Sequence, residues 1–158
     1  AKAVYGLPEL FREKIKKSSL VANPGCYPTA AVLGLAPLIA TRSKSITSII
    51  VDAKSGVSGA GRKASVSLLM SEVADNFKAY KVLAHQHAPE IDQTISQLAG
   101  HKLGVHFVAH LLPIDRGILD TIYVQMKQPI TLHQLHTLYT KKQARGLYQA
   151  SPASPCES

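Results

Sequence analysis

The sequence has no tryptophan, two cysteines and only ten acidic residues among 158. Each scarcity removes a class of explanation. Two cysteines, Cys26 and Cys156, cannot form the dense disulfide framework of small secreted folds, and they point to a reducing compartment in which Cys26 is a free thiol. No apolar run approaches the roughly 18 residues a membrane span needs, and no stretch has the pattern of a signal peptide. A soluble, cytoplasmic protein with no membrane partner is the expectation. Aromatic residues make up 6% and are not interleaved with the basic ones, so the stacking platform of a single-strand binder is missing. Eighteen Lys and Arg leave a formal net charge of +8, which suits phosphorylated or carboxylate substrates as well as nucleic acid, and no nucleic-acid partner is expected. A metal held by Cys26, His85 and His87 would lack a fourth ligand, so no metal is expected either.

What is present is enough apolar mass, 46% of residues, for one core built from Leu, Ile, Val and Ala. Residues 1–145 read as that one domain, and the Ser- and Pro-rich 146–158 as a disordered tail. Helical and strand periods alternate along the chain. Pro8 opens a short helix with Leu7, Leu10, Phe11 and Ile15 on one stripe, and Ser19–Asn23 reads as a brief strand. Pro28 starts a second helix through Leu35. Ile46–Ala53 reads as a buried strand, and Val66, Leu69, Met70, Val73 and Phe77 recur at helical spacing. A helix from Pro89 carries Ile91, Ile95 and Leu98 and stops at Gly100. Strand patterns follow at Leu103–Leu111 and Ile118–Met126, and Thr131 with Gln134 forms a capping box for a last helix. The layout predicts an α/β (α+β) domain in which helices are layered on a mixed, largely antiparallel sheet.

Four stretches carry chemistry. In V-A-N-P-G-C-Y-P-T-A, Cys26 falls at or just before the N-cap of a helix, where the macrodipole and unpaired amides favour thiolate over thiol. Position alone leaves two readings open: a nucleophile, or a small buried hydrophobe. In H-Q-H-A-P-E-I, His85 and His87 sit two apart in what reads as an extended piece and so point the same way. One could exchange protons with a reacting centre, the other hold substrate, and Glu90 could orient an imidazole. The loop S-G-V-S-G-A-G-R, Ser55–Arg62, follows a strand and precedes a helix pattern, yet its G-x-x-G-x-G order matches neither common nucleotide fingerprint. It lets backbone approach an anion or a cofactor closely. In H-L-L-P-I-D-R-G-I-L, Arg116 could clamp a carboxylate or phosphate, or pair locally with Asp115 or Asp120. The other histidines show no clustering.

Together and in this order, these four stretches resemble the signature segments of N-acetyl-gamma-glutamyl-phosphate reductases of arginine biosynthesis. The similarity runs from about Lys2 to about Lys127, with a weaker part to about Tyr139. It implies the fold of a semialdehyde-dehydrogenase C-terminal domain, with helices on one face of the sheet, and a homo-oligomer, dimer or tetramer. It also implies NADPH-dependent reductive dephosphorylation of an acyl phosphate. Cys26 would form the thioester and His85 serve as acid and base. Arg62, His87, Glu90 and Arg116 would lie on the substrate side, and Ser58, Gly59, Ala60 and Gly61 against the nicotinamide of NADP(H). The resemblance includes no counterpart of that family's N-terminal dinucleotide-binding domain. The chain is therefore expected to be a fragment, unable to bind NADP(H) well or turn over alone. Two rival readings are another semialdehyde dehydrogenase, such as one acting on aspartate semialdehyde, and a dimerisation module whose catalytic residues are idle.

Overall fold

The computed structural model describes residues 2–62 and 64–143. The expected tail, and Cys156 within it, lie outside the described residues. In chain order the elements are β1 (Val4–Tyr5), α1 (Pro8–Lys16), β2 (Val21–Ala22), α2 (Cys26–Arg42), β3 (Ile46–Ser55), α3 (Met70–Val73), β4 (Lys78–Tyr80), α4 (His87–Ala99), β5 (His106–Leu111), β6 (Ile118–Met126) and α5 (Leu132–Gln143).

β3 organises the domain. Its residues alternate, with Ile49, Val51 and Ala53 buried and Ile50, Asp52 and Lys54 more open, the period of a strand with one face on a core. It lies in a four-stranded sheet of order β4-β5-β3-β6. β5 runs parallel to β3, while β6 and β4 are antiparallel to their neighbours, so the sheet is mixed and largely antiparallel as expected. β1 and β2 form a separate parallel pair.

Against the buried face of β3 packs α2, whose Val32, Leu35 and Ile39 are almost fully enclosed together with Ile91 and Ile95 of α4. Each such side chain contributes roughly 1.5–3 kcal/mol on burial. That scale explains the first departure from the sequence reading. α2 was expected to span Pro28–Leu35, but it starts at Cys26 and continues through a buried Pro37 to Arg42. An interior proline costs about 3 kcal/mol, and the apolar surface enclosed on both sides of Pro37 exceeds that.

α4 keeps the predicted stripe and ends where Gly100 turns left-handed, φ +73°, the backbone state only glycine adopts cheaply. The capping box of α5 is complete: Thr131 N donates to Gln134 Oε1 at 3.1 Å, and Gln134 N to Thr131 Oγ1 at 3.2 Å.

The helix expected over Val66–Phe77 is not there. The segment forms a turn at Val66–Leu68, the single turn of α3, and then extends into β4. Of its apolar residues only Val73 is buried, while Val66, Leu69, Met70 and Phe77 are exposed. Helical spacing without a surface to bury it against stabilises no long helix. β5 is also shorter than predicted, starting at His106 rather than Leu103.

Candidate active site

The two parallel strands end side by side, with Ser55 opposite Leu111, and ligands of α/β sheets gather beyond such carboxyl ends. A cleft of about 380 Å³ opens there, walled by Cys26, Tyr27, Ser55, Gly56, Gly59, Ala60, Ser67, Leu68, Lys78, Tyr80, Lys81, His85, Gln86, His87 and Leu111. A larger hollow of about 560 Å³ lies behind Glu90, bordered by Tyr5, Gln93, Thr94 and Gln97. It contains neither the cysteine nor a histidine.

Cys26 is the first residue of α2 and is exposed. No side chain caps this helix, and Pro28 in its first turn has no N–H, so the first-turn amides of Cys26 and Tyr27 are left without a capping side chain. The preceding residue is glycine. A Cβ on Gly25 would lie 2.5 Å from Nε2 of His87, so the bare backbone makes room for that imidazole. Gly25 N donates to Glu90 Oε1 at 2.9 Å, and Tyr5 Oη–H donates to the same oxygen at 2.7 Å. Glu90 therefore ties the cysteine turn to α4 and β1 instead of hydrogen-bonding an imidazole.

His85 is buried in an aromatic box. The rings of Tyr27, Tyr80 and Phe107 meet it edge-on with centroids 5.7, 5.5 and 5.1 Å away, and His87 lies tilted at 4.9 Å. The expectation that both histidines stand in an extended piece is corrected: His87 is the first residue of α4. The tight bend lets His87 N donate to His85 Nδ1 at 3.1 Å. A nitrogen that accepts cannot also carry the proton, so the neutral imidazole of His85 holds its proton on Nε2.

Burial is the main force lowering the pKa of both imidazoles. For His85 the neighbouring His87 and Lys81 push the same way, and for His87 the carboxylate of Glu90 opposes burial while Lys81 adds to it. Tyr27 Oη and Tyr80 Oη are 3.0 Å apart. Burial, and then that bond, drive Tyr80 upward, keeping its hydroxyl protonated.

Of the loop residues singled out in the sequence, Gly59 and Ala60 border the cleft, whereas Ser58 turns to Asp115, its Oγ donating to that carbonyl at 2.7 Å. The loop is laced to the β5–β6 turn: Gly56 N donates to Gly117 O, Val57 N to Ile114 O and Ser58 N to Asp115 O, at 3.0, 2.9 and 3.0 Å. Those amides already have partners, so a ligand would meet the small side of Gly59–Ala60 and not a ring of free N–H groups. Arg62 and Arg116 are exposed and do not line the cleft. Arg116 Nε lies 3.2 Å from Asp115 Oδ2, the local pairing that the sequence left open. Sequence reasoning missed Tyr27, Lys78, Tyr80 and Lys81. The signal was the alternation Lys78, Tyr80 just before His85, hidden by the helical spacing assigned to the residues upstream.

N-acetyl-gamma-glutamyl-phosphate reductase of Moorella thermoacetica is 52% identical over 141 residues, covering 89% of this chain and 41% of the relative. That of Geotalea daltonii is 56% identical over 138 residues, 87% and 40% of the two chains. The chain thus spans about 40% of the length of the curated relatives it matches. Among solved structures, aspartate semialdehyde dehydrogenase II from Vibrio cholerae, complexed with ASA, superposes with a TM-score of 0.67 at 16% identity, over 87% of this chain and 48% of that one. The enzyme of the same name from Candida albicans, solved with NADP, gives 0.59 at 10% identity, over 86% and 44%. Identities this low show a shared fold. The profile of the semialdehyde dehydrogenase dimerisation domain matches residues 26–149, starting at the cysteine itself, and the chain belongs to that family.

Proposed function

We propose that the chain is the cysteine-bearing and dimerisation part of an N-acetyl-gamma-glutamyl-phosphate reductase, converting N-acetyl-glutamyl 5-phosphate to N-acetyl-glutamate 5-semialdehyde and phosphate in arginine biosynthesis. The observation that carries the reading is the convergence of Cys26, His85 and His87, from two distant parts of the chain, on one cleft at the carboxyl ends of β3 and β5. The names and identities of the curated relatives support the substrate.

In this reading the Cys26 thiolate attacks the acyl carbon, the carbon–oxygen bond to phosphate breaks, and phosphate leaves with the bonding electrons. The acyl group is then held as a thioester on Sγ. His85, with its proton on Nε2, donates a hydrogen bond to the acyl oxygen and passes that proton to it as negative charge develops there; the carbon–sulfur bond later breaks as the aldehyde forms and the proton returns. The lowered pKa keeps this imidazole neutral at pH 7. The Tyr27–Tyr80 pair and Phe107 exclude water from it. His87 supports the substrate side, and so would Arg62, Glu90 and Arg116 only through rearrangement or the remainder of the protein.

The small wall that Gly59 and Ala60 give the cleft suits the planar end of NADP(H). Of the four residues Ser58, Gly59, Ala60 and Gly61, Gly59 and Ala60 would meet that end, and Ser58, bonded to Asp115, and Gly61 would shape the loop behind them. When bound, the group supplies a hydride to the acyl carbon.

A second copy of the chain would cover the open face of the sheet, where Ile50, Tyr123 and Leu119 are exposed beside Phe77 and Val108. The family description supports this. A cytoplasmic setting accords with a free thiol nucleophile.

The acylation half needs no cofactor, so it tests the reading directly. Exposure to N-acetyl-glutamyl phosphate followed by intact-mass spectrometry is expected to give one acyl adduct, absent in Cys26→Ser. Iodoacetamide should alkylate Cys26 faster than Cys156 near pH 7, with a rate profile that changes in His85→Ala. Equal reactivity of the two thiols and no adduct would refute the proposal.

A further inference from the structure

We propose that Lys78 and Lys81 together form a phosphate-holding site in the cysteine cleft, a role that rests on reading this cleft as the place where an acyl phosphate reacts. Both lysines line it, and no aspartate or glutamate does among the described residues. Elsewhere Lys54 pairs with Asp52, Lys16 with Glu13 at 2.9 Å and Arg116 with Asp115 at 3.2 Å. Among the described residues no ion pair involves Lys78 or Lys81. Two uncompensated positive charges facing one cavity favour an anionic ligand, and a lysine acts as a point charge suited to the tetrahedral oxygens of phosphate.

The backbone presents these side chains deliberately. Lys78 is half-buried and stands opposite Leu111 at the cleft end of β4. Lys81, the residue immediately after the pairing stops at Tyr80, holds φ +48°. A lysine gains nothing from a left-handed backbone, which costs roughly 1–2 kcal/mol, and such residues collect where the fold must aim a side chain. Lys81 borders the same cleft as His85 and His87, and its charge is among the causes that lower the pKa of both imidazoles. A phosphate bound between the lysines would offset that charge and ease protonation of both imidazoles. In the reaction, the same pair would hold the phosphoryl group of the substrate and stabilise phosphate as it departs.

The probe is inorganic phosphate, followed through the Cε1–H resonances of His85 and His87 and through protection of Cys26 against iodoacetamide. Acetate at matched ionic strength is the parallel arm. Phosphate is expected to move both resonances toward the protonated position and to slow alkylation. Lys81→Met and Lys78→Met should each raise the half-saturating phosphate concentration about tenfold, the loss of one charge-assisted hydrogen bond, while Lys81→Arg retains most of the affinity. No response to phosphate, equal potency of acetate, or an unchanged midpoint in both methionine variants would overturn the inference. Circular dichroism checks that Lys78→Met folds; Lys81 lies on an exposed turn, so its variant decides the question if Lys78→Met does not. A Cys26 with no selective reactivity would instead bring down the reading of the cleft, whereas a reactive Cys26 with a lysine-independent phosphate response brings down this inference alone.

Discussion

The scaffold of α2, β3 and α4 and the segment 56–86 obey different rules. In the scaffold, order comes from apolar burial: Leu35, Ile39, Ile49, Ile91 and Ile95 are essentially sealed, and regular elements follow. In 56–86 almost nothing apolar is sealed except Val73, and shape comes from backbone hydrogen bonds and unusual dihedrals. Asp75, Lys81 and Leu83 all have positive φ, at 55°, 48° and 59°. The cleft is the seam between the two, with Cys26 presented by the rigid side and Lys78, Lys81 and His85 by the irregular one. A reacting thiol needs a fixed base or acid within reach, whereas loops supply the groups that approach substrate.

The contrast can be broken by substitution. Leu35→Ala should cost about 3 kcal/mol through the lost transfer energy and the cavity left behind, read as a lower denaturant midpoint. A loss under about 1 kcal/mol would mean the scaffold is not held by its core. Gly56→Ala should cost about 2 kcal/mol by overpacking, because a Cβ there would lie 2.7 Å from the carbonyl oxygen of Asp115. If thermal unfolding is unchanged, the lacing of the loop to the β5–β6 turn is not what shapes the segment.

Asp120 sharpens the comparison through charge. Both its carboxylate oxygens are enclosed without a hydrogen-bond partner, and burial raises its pKa to about 6, with Lys54 opposing and Asp52 reinforcing. The folded state therefore binds this proton more tightly than the unfolded chain. The stabilisation is present below the unfolded value and is lost as pH rises through about 6, the sign linkage requires. Asp120→Asn should stabilise the protein by about 1 kcal/mol at pH 7, a figure reduced for partial screening by solvent, and by nothing near pH 4. A gain that is independent of pH would exclude ionisation as its cause. The smallest effect belongs to Leu83, exposed and left-handed. Leu83→Gly should change stability by less than about 0.5 kcal/mol, since relief of the backbone strain and the added freedom of the unfolded chain offset each other. A large loss would reveal packing that this segment does not display.

The reading of residues went furthest where local and tertiary preferences coincide. The stripe Ile91, Ile95, Leu98, the stop at Gly100, the capping box at Thr131 and the strand Ile118–Met126 were all legible, because each is written in neighbouring residues. The helix assigned to Val66–Phe77 failed because periodicity says which face could be buried and not whether anything is there to bury it. α2 ran past Pro37 because its apolar surroundings outweighed a local preference. At the cleft, the positions of Cys26 and His85 were legible as motifs. That Glu90 holds the cysteine turn, and that His87 is packed against Gly25, was not, since both contacts join residues more than sixty positions apart.

By itself the sequence determined the fold class, most of the elements and the candidate nucleophile, for these depend on composition, period and the few residues around a helix start. Only tertiary structure decided which nitrogen of His85 carries the proton, which imidazole lies against Gly25 and which two lysines border the cleft of the cysteine. Those properties arise from distances between segments that meet only when the core closes, and no local pattern encodes them.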